Sequence, residues 1–266
     1  MRQLIGVGYR SQLAGWINSR PAEMSCLEIT AEHFFDDRTT LHKLAQHYPI
    51  LVHGLGLSLG TPGALDKEYL QQFAAVVQAA DPLWISEHIA FTRAGGVDLG
   101  HLNPIACTED ALANLVEHAQ QVMAACHKPL LLENITTHLQ VPGSIAETDF
   151  INRLCEQSGC GMLLDVTNLY VNSRNHGFDA LQWLHEIEPH YIRQLHLVGY
   201  NKQGDTWYDS HAENIQQELY ELTRTVMAYS NVEAIIIERD NNFPTTQQMQ
   251  QELCNLEQCC IANQLH

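Results

Sequence analysis

Residues 130–166 read LLLENITTHLQVPGSIAETDFINRLCEQSGCGMLLDV, and this stretch decides the fold. It opens on a short apolar run, Leu130–Asn134, and closes on another, Met162–Val166. Between them Ser144-x-x-Glu147 has the form of a capping box that starts a helix running through Glu156, and Gly159 suits the position just past its end. An apolar run with no polar alternation is what a strand needs when both its faces are covered, as in a parallel sheet. The unit is therefore strand, crossover helix, strand.

The same unit recurs along the whole chain. Apolar runs stand at Leu4–Gly8, Cys26–Thr30, Ile50–Gly54, Leu83–His88, Gln194–Val198 and Ala234–Glu238, making eight with the two above. Helical stretches separate them. Asp66–Ala80 places Leu70, Phe73, Val76 and Val77 on one face, and Thr108–Cys126 does so with Leu112, Leu115, Val116, Ala119 and Val122. Thr245-x-x-Gln248 starts the last helix as another capping box. Eight strands alternating with helices over 266 residues predict an α/β fold of the (β/α)8 TIM-barrel type, one domain over residues 1–266. A doubly wound open sheet is the alternative. Its phosphate-binding turn is only begun by Gly54-x-Gly56, because Gly60 falls in the wrong place.

Composition narrows the function classes. The formal net charge is −17, from 14 basic and 31 acidic residues, which argues against gripping a nucleic-acid backbone or an anionic membrane. Histidine is in excess, with 15 in the chain, so ligands for hard and borderline metals are abundant. The 8 cysteines form no Cys-x-x-Cys and are read as reduced thiols. The N-terminal MRQLIGVGYRSQL lacks a signal-peptide core, and no run reaches the ~18 apolar residues of a membrane span; a cytoplasmic protein is expected.

In a barrel, chemistry gathers at the C-terminal ends of the strands. His53, His88, Glu133, Asp165 and Glu238 stand at the end of five of the runs or one residue before it, and His196 lies in a sixth. Core packing gives no reason for six such groups, since a buried carboxylate without a partner is costly. The loop after the seventh strand adds Asp209-x-His211, two alternate residues able to face one ion. Eight ligands exceed what one ion takes and suit two or three ions sharing carboxylates. Imidazole and carboxylate without thiolate suit iron, manganese or zinc alike. Asn134 and Asn168 adjoin these ligands and would either complete a shell or fix the rim by hydrogen bonds.

The chain also resembles a known family. The residues that carry the likeness are Gly6-Val-Gly-Tyr-Arg10, His53-Gly-Leu-Gly-Leu-Ser-Leu-Gly60, Ser86-Glu-His88, Leu132-Glu-Asn134 and Leu164-Asp-Val-Thr-Asn168. Ser173-Arg-Asn-His-Gly-Phe-Asp179, His196-Leu-Val-Gly199, Asp209-x-His211 and Ile237-Glu238 follow in order. Together they resemble the multinuclear non-haem iron-dependent oxidative enzymes (MNIO). Glu133-Asn-Ile-Thr136, Ala212-Glu-Asn-Ile215 and Glu238-Arg-Asp-Asn-Asn-Phe-Pro244 depart from the common pattern and look closest to its methanobactin-synthesis branch. The resemblance implies a TIM barrel holding two or three irons. It also implies O2 as co-substrate and a cysteine-containing precursor peptide turned into an oxazolone and thioamide. A companion recognition protein (MbnC-like) would form a hetero-complex with the chain. Under it Asp240 becomes a candidate catalytic base or substrate contact, and Arg10, Arg239 and Asn134 candidates for holding the peptide. A metal-dependent hydrolase or sugar isomerase with a zinc or manganese site, and a catalytically silent metal-binding barrel, remain open on the residues alone.

Overall fold

The structure is a computed structural model and describes residues 3–263. Its strands are β1 (Leu4–Gly8), β2 (Cys26–Thr30), β3 (Ile50–His53), β4 (Ile85–His88), β5 (Phe91–Ala94) and β6 (Val97–Asn103). They continue with β7 (Leu130–Glu133), β8 (Gly161–Asp165), β9 (Ile192–Leu197), β10 (Gly199–Gln203), β11 (Thr206–Glu213) and β12 (Ala234–Ile237). The helices are α1 (Ala14–Asn18), α2 (Arg38–Ala45), α3 (Lys67–Ala80), α4 (Glu109–Cys126) and α5 (Glu147–Ser158). After them come α6 (Val166–His176), α7 (Ala180–Glu186), α8 (Gln217–Tyr229) and α9 (Thr246–Asn263). Eight strands close into a parallel barrel in the order β1-β2-β3-β4-β7-β8-β9-β12, the expected fold class.

All eight apolar runs became barrel strands, shifted by no more than two residues. Side chains alternate along each. Outward-facing Val7, Ile29, Val52, Ile85, Leu132, Leu164, Leu195 and Ile237 join the main core beneath the helices. Inward, Cys26, Leu51, Trp84, Leu131, Leu163, Ala234 and Ile236 form a separate apolar layer that plugs the barrel. Two residues further along the same faces stand Glu28, His53, Ser86, Glu133, Asp165 and Glu238, and beside Trp84 the buried Gln194 is followed by His196. The register then sets His88 opposite Glu133 and Asp165 opposite His196.

Two antiparallel hairpins, β5–β6 and β10–β11, were not anticipated. Each turns on glycine at positive φ, Gly95 and Gly96 in the first and Gly204 in the second. A Gly-Gly or Gly-Asp pair between short extended runs is a hairpin signal that could have revealed them. One expected cap is also corrected. Ser144 makes no capping bond to α5, whose N-cap is Ala146, though Gly159 does end the helix at φ 81°. Thr245 and Gln248 do form the reciprocal box, with bonds of 2.9 and 3.3 Å. The Gly54-x-Gly56 turn offers no phosphate cradle, because its amides are already taken by the chain's own carboxylates. Glu32 accepts from Leu55 and Gly56, and Glu87 from Leu57.

Gly6 pairs with Cys26 across β1 and β2. A Cβ there would collide with the Cys26 carbonyl oxygen and come within 2.8 Å of its thiol sulfur. Backbone on a barrel strand cannot move aside cheaply, so Gly6→Ala is expected to cost about 1–3 kcal/mol, read as a lowered urea midpoint at unchanged slope.

Candidate metal centre

Parity and register bring the strand-end residues to one rim. His53 Nε2 and His88 Nε2 each lie 3.4 Å from Glu133 Oε2. His196 Nδ1 lies 3.2 Å from Glu133 Oε1 and 3.1 Å from Glu238 Oε2. His53, His88, Glu133, Asp165, His196 and Glu238 are all buried. Their donor atoms fall into groups close enough to share an ion: His53 with His88 and Glu133; Glu133 with Asp165, His196 and Glu238; and His211 with Glu238 and Asp240. Glu133 joins the first group to the second, and Glu238 the second to the third. Bridging carboxylates are what the excess of ligands predicted.

The donor set fits metal ions on a further observation. His53 Nε2, Glu133 Oε2, Asp165 Oδ2, His196 Nδ1 and His211 Nδ1 are buried and have no hydrogen-bond partner. Desolvated lone pairs that face one another need a proton or a metal ion between them, and this donor set can offer them to either. The other end of several ligands is held. His53 Nδ1 lies 2.8 Å from Ser86 Oγ, and His88 Nδ1 lies 3.3 Å from Glu87 Oε2. Asp165 caps α6, accepting from the Asn168 amide at 2.7 Å, which leaves its second oxygen for the rim.

The hairpin β10–β11 carries the remaining pair. Asp209 Oδ2 sits 2.6 Å from His211 Nε2, so the two alternate residues do face each other. Asp209 belongs to none of the donor groups and lines the cavity as the partner of His211. His211 has a positive φ of 49°, and its carbonyl accepts the amides of Asp240 and Asn241. That backbone tie brings Asp240 Oδ2 to 3.1 Å from His211 Nδ1. Arg10 completes the mouth, with Nε 2.5 Å from Asp240 Oδ1 and a terminal nitrogen 3.2 Å from Glu238 Oε1.

Two expected peptide contacts are corrected. Arg239 follows inward-facing Glu238 and so points to the opposite side, where it is fully buried. Its guanidinium donates to the Ala212 carbonyl at 2.6 Å and to Asn214 and Glu252, so it is a structural ion pair. Asn134 is occupied by the backbone of Asp165, accepting its N–H at 2.9 Å and donating to its carbonyl at 3.1 Å. Asn168 fixes the rim in the same way, through the Asn134 carbonyl. Residues whose roles sequence reasoning missed are Glu28, Ser86 and Gln194 inside the barrel, Glu87 behind His88 and His33 at the mouth. A carboxylate in the middle of Cys26–Thr30, in step with inward-facing Cys26, was the available signal for Glu28.

The cavity above the rim has a volume of about 450 Å³ and is lined by Arg10, His33, Leu102, Thr136, Asp209 and Asp240 among others. Burial works against a charged His196, but Glu28, Glu133 and Glu238 outweigh it and hold the imidazole well above its ordinary range. Against the same burial, Glu133 and Glu87 push His88 up to about 9. His211 is likewise raised against burial, by Asp209 and Glu238. Burial and the charges of Asp209 and Glu133 raise Asp165. The metal-free rim therefore holds protons at neutral pH that an ion must displace. Metal affinity is expected to rise between roughly pH 6 and pH 9, with protons released on binding. Calorimetry of zinc(II) uptake in buffers of different ionisation enthalpy reads both; an affinity flat with pH counts against the centre. The sign for the metal-free fold is opposite. Stability lent by His88 is present below about 6.5 and lost as pH rises through about 9.

Comparison with known proteins agrees with this geometry. The chain matches the family model of the RiPP precursor modification enzyme MbnB/TglH/ChrH over residues 4–260. It is 30% identical over 271 residues to a UPF0276 protein of Vibrio vulnificus (strain YJ016), covering 98% of this chain and 93% of that one. It is 32% identical to one of Paraburkholderia phytofirmans (strain DSM 17436 / LMG 22146 / PsJN), covering 90% and 81%. Among solved structures, a xylose isomerase domain protein from Alicyclobacillus acidocaldarius subsp. acidocaldarius superposes with a TM-score of 0.62 at 11% identity, covering 99% of each chain. Endonuclease IV from Thermus thermophilus does so with 0.61 at 12%, covering 97% of this chain and 99% of that one. At such identities these two share the barrel alone. The donor rim and a family match over nearly the whole chain lead to one assignment: the protein belongs to the MbnB/TglH/ChrH family of RiPP precursor modification enzymes.

Proposed function

We propose that the rim holds two or three iron ions and that the enzyme uses dioxygen to modify cysteine in a ribosomally made precursor peptide. The product expected is an oxazolone with an adjacent thioamide, as in methanobactin synthesis. The observation that carries the reading is the set of three donor groups linked through Glu133 and Glu238, with their facing atoms unpartnered. Membership of a peptide-modifying family supplies the substrate class. Iron held there would supply one-electron and dioxygen chemistry beside a cysteine.

The chain's own residues prepare the site. Asp240 is the one rim carboxylate whose side chain is well exposed, at 40%. Burial raises its proton affinity, but the nearby His211 imidazole and the charge of Arg10 outweigh that and keep it ionised. It is thus a charged oxygen at the cavity mouth, able to take a proton from a substrate amide or carbon. Arg10 holds it there from the other side. With Nε on Asp240 and its terminal nitrogens on the Tyr9 carbonyl and on Glu238, Arg10 acts as a positioning residue rather than a free clamp for the peptide. Leu102 and Ile135 give the cavity lining an apolar part. A companion protein of the MbnC kind would deliver the peptide, and the reaction would take place in the cytoplasm, where such precursors are made.

The test is co-expression with a cysteine-containing candidate peptide and a companion protein, read as a mass shift. Modification is expected to need iron and air, and to vanish in His88→Ala and Glu133→Gln along with bound metal. Asp240→Asn should lower the rate by about 10²–10⁴-fold while the iron held by the two donor groups that share Glu133 stays in place. Full activity without dioxygen, or with zinc as the sole activating metal, overturns the proposal in favour of a hydrolase or isomerase.

A further inference from the structure

The barrel interior directly below the rim holds a polar chain that the ligand inventory does not use. Trp84 Nε1 donates to Gln194 Oε1 at 2.5 Å, which fixes which way the Gln194 amide points. Gln194 Nε2 then donates to Glu28 Oε2, also at 2.5 Å. The other oxygen, Glu28 Oε1, stands 2.8 Å from His196 Nε2. All four residues are buried. Barrel layers are ordinarily filled by branched apolar side chains, and a buried carboxylate is costly unless polar hydrogens meet it. Here the β-barrel gathers polar groups from three places to hold one acid: Trp84 from the residue before β4, Gln194 from β9, and Glu28 itself from β2.

We propose that Glu28, clamped by Trp84 and Gln194, is the positioning residue that holds the hydrogen of His196 on Nε2 and turns Nδ1 toward the metal. The inference rests on the rim being a metal centre and adds what distinguishes one of its ligands. Two partners compete for His196 Nε2, because Gln194 Nε2 also lies 3.1 Å away. The carboxylate wins, since an N–H facing an anion at 2.8 Å is charge-assisted and the stronger of the two. Nδ1 is then left with a lone pair among Glu133, Asp165 and Glu238, where the structure gives it no hydrogen-bond partner. A carboxylate behind an imidazole fixes its tautomer, stops the ring turning and makes it a stronger donor. The other inward histidine at this depth has no such backing: behind His53 stands the hydroxyl of Ser86, a neutral group.

The test uses the full chain stripped of metal by a chelator and titrated with zinc(II) against a competing indicator. Wild type is expected to take up zinc. Glu28→Gln is expected to lose roughly 10- to 100-fold in affinity at one site while the remaining uptake is unchanged. A merely structural role would lower the unfolding midpoint and leave zinc affinity of the folded protein alone. Equal affinity in wild type and a folded Glu28→Gln overturns the inference and leaves the metal centre standing. Wild type that takes up neither zinc nor iron(II) overturns both. A nitrogen-15 correlation spectrum of zinc-loaded wild type needs no variant. It should show the His196 hydrogen on Nε2, and a hydrogen on Nδ1 overturns the inference. Loss of affinity in Gln194→Leu with none in Glu28→Gln would name Gln194 as the partner, and overturns it too.

Discussion

The rest of the structure depends on one electrostatic constraint. Glu28, Glu133, Asp165 and Glu238 are all buried at one end of a closed barrel, with His53, His88 and His196 among them. Four desolvated carboxylates in one ring repel one another, and the interior screens them weakly. Three responses are visible. The surrounding carboxylates favour the protonated forms of His88, His196 and His211. The outer oxygens are anchored, as Asp165 is by α6 and Glu28 by Gln194. The inner atoms are left unpartnered, facing each other across spaces that cations could fill.

The fold makes that arrangement tolerable by separating two inward layers. The apolar plug around Trp84, Leu131 and Leu163 closes the barrel below, so the polar rim opens only upward. The same period-two alternation that sends Leu132 and Leu164 out to the helices sends Glu133 and Asp165 in. Stability and ligation thus come from one pattern read on its two faces. The hairpin β10–β11 then brings Asp209 and His211 over the rim and ties Asp240 to it through the His211 carbonyl.

How legible this was in the sequence depends on range. Six candidate ligands could be read because five lie at or next to the end of an apolar run and His196 lies within a sixth, and strand ends of a barrel share a rim whatever the loops do. Glu28 was passed over because it lies mid-strand, where an acid looks like a packing irregularity. Arg239 was misplaced because it neighbours Glu238 and only strand parity separates their directions. The two hairpins were missed although Gly95-Gly96 and Gly204-Asp205 marked their turns.

The sequence by itself determined the eight strands, their parity and the stock of metal-binding side chains, because those follow from spacing along a single chain. Only the tertiary structure decided which ligands meet. That Glu133 is shared by two donor groups, that Glu238 links to a third, and that Glu28 stands behind His196 are relations between strands far apart in sequence. Barrel closure and register set those distances, and a contact of about 3 Å between residues on the order of a hundred positions apart leaves no local trace.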